Sequence, residues 1–423
     1  MILFFSRFCQ EVTTLKRLFL LCLCCIVLAG CTIKETDEHG YLIFPETETA
    51  TKTARAENGQ NAPIRACWLS YLEWNPKHIM DEANYRAYLQ SLLAPLERIG
   101  TTDLFLQVRA FADAIYSSAY FESSAWIVER RGDPLPFDFL SVIIEEATAL
   151  ELRVHAWINP YRVLSDPAQT AMLGRSTVVA RLLRKYKNTC FIQTESGLYL
   201  QPGSPRAQTL ILNGVRELLD CYPVAGIHLD DYFYPPDAGV EDNALYEAYH
   251  ANGGALSLHD WRCEQVDLLL KRIYTLVHAA GKDRVLSVSP GGDPQRDEAL
   301  HCADVALWCK EKGFCDWIVP QLYYGFKNEA MPFRQTAKTW RKLKTEASVR
   351  LVGGLAVYKI GKADQWAGEK GSSEWIQDPT LLAKQAKTLR RLGYDGCALF
   401  SAQFVNFQEK VCAKAFHFFE PVL

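Results

Sequence analysis

Short apolar runs alternate with helix-period segments along this chain, and that rhythm constrains its fold more than any other feature. The runs span 64–70, 103–108, 153–158, 226–229, 285–289, 317–322, 350–356 and 397–401. Between most of them lie stretches whose apolar residues recur at helical spacing: 85–99, 139–150, 210–219, 260–280, 333–343 and 379–392. Gly100, Gly281, Gly313 and Gly393 stand where helices would end. Strand–helix units repeated in this way call for a parallel sheet, and eight is the number that closes a (β/α)8 TIM barrel. An open doubly wound sheet is the alternative. It usually carries a glycine fingerprint after its first strand, where this chain reads Leu69-Ser70-Tyr71-Leu72-Glu73-Trp74-Asn75.

The repeat begins only at residue 64, and what precedes it reads as an address. Arg7, Lys16 and Arg17 lead into an apolar run at 18–29, too short to span a bilayer as a helix and suited to a secretory signal. It ends in Leu28-Ala29-Gly30-Cys31, which resembles the bacterial lipoprotein processing site. The expectation is a signal peptide at 1–30, cleavage before Cys31 and a lipid on its sulfur. An ordinary signal peptide or a retained anchor is the plainer alternative. Thr32 is not an inner-membrane retention residue, so in a Gram-negative cell the outer membrane is the expected address. Residues 31–62 are polar and rich in Thr, Glu and Ala, as in a flexible tether, which leaves 63–423 for the barrel.

Composition narrows the partners. A formal net charge of -3 argues against a protein built to grip nucleic acid. Aromatic residues make up 12% of the chain, which suits stacking on sugar rings and equally suits a large core. Of 14 cysteines, those beyond residue 31 form no C-x-x-C pair, so zinc-ribbon and thioredoxin readings fail. Most read as small buried hydrophobes, with a disulfide or two open to an exported protein.

In such a barrel the working residues follow the strands. Asp230 and Asp231, after the fourth run, are the sharpest candidates. Adjacent strand residues point to opposite faces, so one faces the pocket while the other supports it. A crowded carboxyl keeps its proton beside an ionised one, which is how a general acid coexists with a base or nucleophile. The plain reading is a cap, or pairing with Arg109 or Arg162. Asp113, Glu73 and Asp293 are candidate second carboxylates, since glycoside hydrolysis uses two, about 5 to 9.5 Å apart. Each serves equally as a helix cap or surface charge.

The expected substrate-binding set is Gln107, Arg109, His155, Asn159, Tyr161, Arg162, His228, Tyr232, Gln321, Tyr323, Tyr324 and Tyr358. Core packing competes with sugar contact for each aromatic. His155, His228 and Asp230 have metal-ligand chemistry but no H-x-x-H or H-E-x-x-H spacing, so no metal and no other cofactor is expected. Long connections after the third and fourth runs read as binding walls.

Several stretches together resemble a known family, the glycoside-hydrolase-like family 10 of bacterial envelope lipoproteins. They are Arg65-Ala66-Cys67-Trp68-Leu69, Gln107-Val108-Arg109-Ala110-Phe111-Ala112-Asp113, His155-Ala156-Trp157-Ile158-Asn159-Pro160-Tyr161-Arg162, His228-Leu229-Asp230-Asp231-Tyr232, Gln321-Leu322-Tyr323-Tyr324 and Ala356-Val357-Tyr358-Lys359. The resemblance covers about 64–410. It implies a (β/α)8 barrel, export, and hydrolysis of cell-wall (peptidoglycan) glycan with Asp230 and Asp231 as the catalytic carboxylates. One departure stands out: where an aromatic and Gly usually follow Ser-Pro, this chain has Ser289-Pro290-Gly291-Gly292-Asp293. That implies a different wall at this subsite. A glycan-binding barrel without catalysis and a surface glycosidase for exogenous polysaccharide are the alternative readings.

Overall fold

Eight parallel strands close on one another in chain order: β1 (Ile64–Leu69), β2 (Asp103–Arg109), β3 (Arg153–Ile158), β4 (Gly226–Leu229), β5 (Val285–Val288), β6 (Trp317–Ile318), β7 (Arg350–Ala356) and β8 (Gly396–Phe400), the last pairing back to β1. This computed structural model describes residues 62–74, 81–166, 169–170, 173–174, 177–230, 233–240 and 242–420, with the backbone of 35–36 and 42–43. The signal, Cys31 and most of the tether lie outside the described residues, as do Asp231 and Tyr232. Within the stretch read as a tether, Glu35–Thr36 pairs antiparallel with Leu42–Ile43.

The eight sequence runs and the eight strands coincide to within a residue or two, except at β6. There the ladder stops at Ile318 and resumes as a single bridge between Gln321 and Gly354. Pro320 lies between and has no N–H to donate. The open doubly wound alternative is excluded by closure.

Helices α1 (Glu82–Arg98), α2 (Phe139–Ala149), α3 (Pro205–Cys221), α4 (Leu258–Ala280), α5 (Val305–Lys310), α6 (Phe333–Leu343), α7 (Leu381–Arg391) and α8 (Ala402–His417) accompany the strands. Their starts are written locally. Asp81, Asp138, Ser204, Ser257 and Asp304 each accept a backbone N–H at the first turn, a cap worth about 1 kcal/mol. Gly100, Gly313 and Gly393 have left-handed φ of 79°, 100° and 79° at chain reversals, as expected of C-terminal glycines. Gly281 does not; its φ is 167°.

The barrel interior is a packed core. Ile64, Ala66, Trp68, Phe105, Trp157, Trp317, Val319, Val352 and Ala398 fill it. Trimming one of these aromatics to Ala would cost about 3–5 kcal/mol. Of the nine described cysteines, seven are buried: Cys67, Cys190, Cys302, Cys309, Cys315, Cys397 and Cys412. That fits the reading of most as small hydrophobes.

Candidate active site at the barrel mouth

The site follows from counting up the strands. Leu229 of β4 is level with Ile158 of β3 and Val288 of β5. The ladder continues one step further, with Ser289 N donating to Leu229 O at 2.7 Å. Asp230, Asn159 and Ser289 therefore stand side by side at the C-terminal mouth. One layer down, His228, Trp157 and Ser287 are level and face inward. Side chains alternate with a period of two, so the upper three face inward as well. Asp230 is buried, 4% exposed.

Around it the mouth is polar. Gln107 Nε2 donates to Asn159 Oδ1 at 2.9 Å, and Gln107 Oε1 accepts the Tyr71 N–H at 3.1 Å. Gln321 Nε2 donates to Ser289 O at 3.3 Å. Among the buried polar atoms without a hydrogen-bond partner in the described residues, Asn159 Nδ2 and Ser289 Oγ belong to the layer of Asp230, and Trp157 Nε1 to the layer below. A buried polar atom left unmatched costs about 1–3 kcal/mol, so a ligand or water at the mouth would be stabilised by meeting Asn159 Nδ2 and Ser289 Oγ.

Two aromatic walls flank this floor. Tyr323, Tyr358 and Phe400 pack together at the ends of β6, β7 and β8, with centroids 5.9–6.1 Å apart. On the other side Tyr71 contacts Phe111 at 5.4 Å and Trp126 at 4.6 Å, and Arg162 lies 4.2 Å over the Phe111 ring. Beside that wall a cavity of about 470 Å³ is lined by Leu72, Glu73, Trp74, Tyr88, Trp126 and Gln403. Its volume is within the range of small-ligand sites. Glu73 is its buried carboxylate. Burial pushes its pKa up, against donors from Ser70, Ser401 and Gln403 that favour the ion. Those bonds tie the end of β1 to the end of β8.

Several expected site residues lie elsewhere. His155 is inside the barrel but at its N-terminal end, where Nε2 donates to Asp103 Oδ1 at 2.8 Å and Arg153 also binds Asp103. It sits two residues below Trp157 and does not reach the mouth. His228 is fully buried one layer below the mouth. Trp68 Nε1 donates to its Nε2 at 2.9 Å, so the proton is on Nδ1, which donates to Ser287 Oγ at 2.7 Å. The ring also stacks on Phe105 at 3.9 Å, and burial holds its pKa well below the ordinary histidine value. Both histidines are neutral core groups rather than substrate or metal contacts.

Arg109 is turned outward. The β2–β3 register shifts between Gln107 and Arg109, and the guanidinium lies 4.3 Å over Phe121 beside Gly214 of α3. A Cβ on Gly214 would meet Arg109 Nη1 at 2.4 Å, so glycine makes room for it. Tyr161 is fully buried; its hydroxyl lies in the field of Asp267 on α4, behind the strands. Asp113 Oδ1 braces its own turn, accepting the Phe111 and Ala110 N–H at 2.9 and 3.3 Å. Asp293 caps the helix Pro294–His301. Tyr324 packs against Gly292, where a Cβ would meet its ring at 2.5 Å, and burial raises its pKa to about 12. Gly291, which stands where the usual strand-5 pattern has an aromatic, lies instead against Asp297, whose Oδ1 a Cβ there would meet at 2.6 Å.

Ser289, Phe111, Trp126 and Phe400 were not singled out from sequence. For Ser289 and Phe400 the signal was present: each continues an inward alternation two residues beyond a core position.

Residues 63–370 match the family described as Glycosyl hydrolase-like 10. The chain belongs to this family. It is 30% identical over 367 residues to Glycosyl hydrolase DigH of Escherichia coli (strain K12), covering 80% of this chain and 82% of DigH. It is also 30% identical over 318 residues to Glycosyl hydrolase YngK of Bacillus subtilis (strain 168), covering 70% of this chain and 61% of YngK. Among solved structures, the PgaB (BpsB) glycoside hydrolase domain from Bordetella bronchiseptica superposes with a TM-score of 0.53 at 16% identity, covering 81% of this chain and 95% of that one. Alpha-L-fucosidase isoenzyme 2 from Paenibacillus thiaminolyticus gives a TM-score of 0.53 at 15% identity, over 84% of this chain and 49% of that one. At those identities the structural likeness is one of fold. Family membership implies a carbohydrate substrate and glycosidase chemistry.

Proposed function

We propose that this protein hydrolyses the glycan strands of the bacterial cell wall, with Asp230 as the pocket-facing catalytic carboxylate and Asp231 as its partner. The observation that carries the reading is the inward position of Asp230, level with the unmatched donors of Asn159 and Ser289 between two aromatic walls. Tyr323, Tyr358 and Phe400 offer faces to pyranose rings, and Gln107, Asn159 and Gln321 orient hydroxyl groups. Proton transfer by a positioned carboxyl contributes about 10²–10⁴-fold to such a reaction. A second carboxylate supplies the base or nucleophile.

The lipid-anchor pattern ending at Cys31 supports the substrate class. A lipid there, followed by a tether, holds the barrel in the envelope at the outer membrane, within reach of the wall.

The direct test incubates the purified full chain with wall glycan strands, with and without their stem peptides, and measures new reducing ends. Release from wall strands is the expected result. Binding without release selects a non-catalytic barrel; release only from other polysaccharides overturns the substrate class.

A further inference from the structure

Away from the mouth, three metal-type side chains converge where α4 meets the segment after β5. His259 and Cys263 are four residues apart at the start of α4, so they share one helix face. Cys302 ends the helix Pro294–His301 with a left-handed backbone, φ 49°. The donor atoms of all three lie within 4.8 Å of one another. Cys263 Sγ is 3.6 Å from His259 Nε2, and the Cys302 thiol lies within 4.8 Å of both.

We propose that His259, Cys263 and Cys302 form a binding site for a zinc-type divalent cation. The donor set suits the ion: two thiolates and one imidazole are what zinc prefers over hard cations. The spacing suits it too. Zinc lies about 2.3 Å from sulfur and about 2.0–2.1 Å from imidazole nitrogen, which makes a tetrahedral edge of about 3.6 Å. That is the Cys263–His259 separation.

The surroundings favour a cation. A cleft of about 270 Å³ beside Cys263 is lined by Asp260, Glu264, Asp267, Glu298 and Asp304, against one Lys271. Three protein donors leave one tetrahedral position for water or a carboxylate. Glu298, four residues before Cys302, lines the same cleft and is a candidate for that position. The two thiolates and one imidazole neutralise a divalent ion, so the site needs no counter-ion.

The site has a mechanical consequence. Tyr234, in the loop after β4, donates its N–H to His301 O at 3.0 Å and accepts from His301 Nδ1 at 3.2 Å. His301 precedes Cys302. A cation joining Cys302 to α4 therefore clips the segment that follows Asp230 to the helix behind it.

The test uses the full chain, reduced, stripped with chelator and titrated with zinc and with cobalt. One equivalent of zinc per chain is expected, with a thiolate-to-cobalt charge-transfer band in the cobalt form. Zinc should slow alkylation of Cys263 and Cys302 in the unaltered chain and leave the exposed Cys221 reactive. Cys263→Ser, Cys302→Ser and His259→Ala should each weaken zinc binding at least tenfold, while Cys221→Ser keeps it. The alkylation arm stands even where a variant fails to fold. No retained zinc and no protection would overturn the proposal. So would a Cys263–Cys302 disulfide in the exported protein, read by mass spectrometry without reduction.

Discussion

Asp103 is fully buried between Arg153 and His155 at the N-terminal end of the barrel, and this links stability to pH. Burial alone would raise its pKa, but Arg153 and the His155 hydrogen bond outweigh it and hold the value at about 2. Burial keeps His155 neutral, donating from Nε2. A carboxyl whose folded pKa is depressed stabilises the fold above its unfolded value, and that contribution fades as pH falls towards 2. Asp103→Asn should therefore lower stability at pH 7 by roughly 2–3 kcal/mol, discounted because Arg153 is half exposed. The difference from wild type should shrink below about pH 4 in thermal melts taken across pH. A constant difference down to pH 2 would sink this assignment. The same residues show why His155 read as a ligand: its inward face was legible from alternation, but its depth was not. Arg109 failed for another reason. Strict alternation places it inward, and the register shift after Gln107 turns it out against α3. No residue-type pattern announces a bulge.

At the scale of elements, the loop after β4 matters most because it follows Asp230 directly. It is fastened from two sides. Arg262 of α4 binds Asp242 through two bonds, at 2.7 and 2.6 Å, and Tyr234 also donates to that carboxylate. Asp242 is fully buried, so removing its cation leaves an uncompensated charge. Arg262→Ala should lower the thermal midpoint by several degrees and reduce kcat more than it raises KM, since the loop positions catalytic groups. A variant with an unchanged midpoint and unchanged kcat would contradict that role. The elements themselves were legible because period-two and period-3.6 patterns with capping residues are local signals. Strand β6 was overextended because its apolar run continues through Pro320, which interrupts the ladder. The His259–Cys263 pair was legible as a four-residue helical spacing, but Cys302 joins it only through tertiary packing.

For the whole molecule, fold and family agree: a closed barrel with a polar mouth flanked by aromatic side chains. The walls were partly legible, since Tyr323 and Tyr358 follow strands. Phe111 and Trp126 come from a loop whose path the sequence does not encode locally. The proposed anchor belongs to this scale as well. If the chain carries that anchor, Cys31→Ser should move it from the membrane fraction to the soluble fraction, read by fractionation and by loss of lipid mass. An unchanged lipid mass on that variant would refute lipidation at this cysteine.

The central claim is that Asp230 does chemistry at the mouth while Asp113 only fixes a turn. The most direct measurement compares reducing-end release from wall glycan by the full chain, Asp230→Asn and Asp113→Asn, with glycan binding and thermal midpoint recorded for each. The predicted result is a loss of about 10²-fold or more for Asp230→Asn with folding and binding intact, and near-normal release for Asp113→Asn. Full activity in Asp230→Asn, or loss confined to Asp113→Asn, would contradict it.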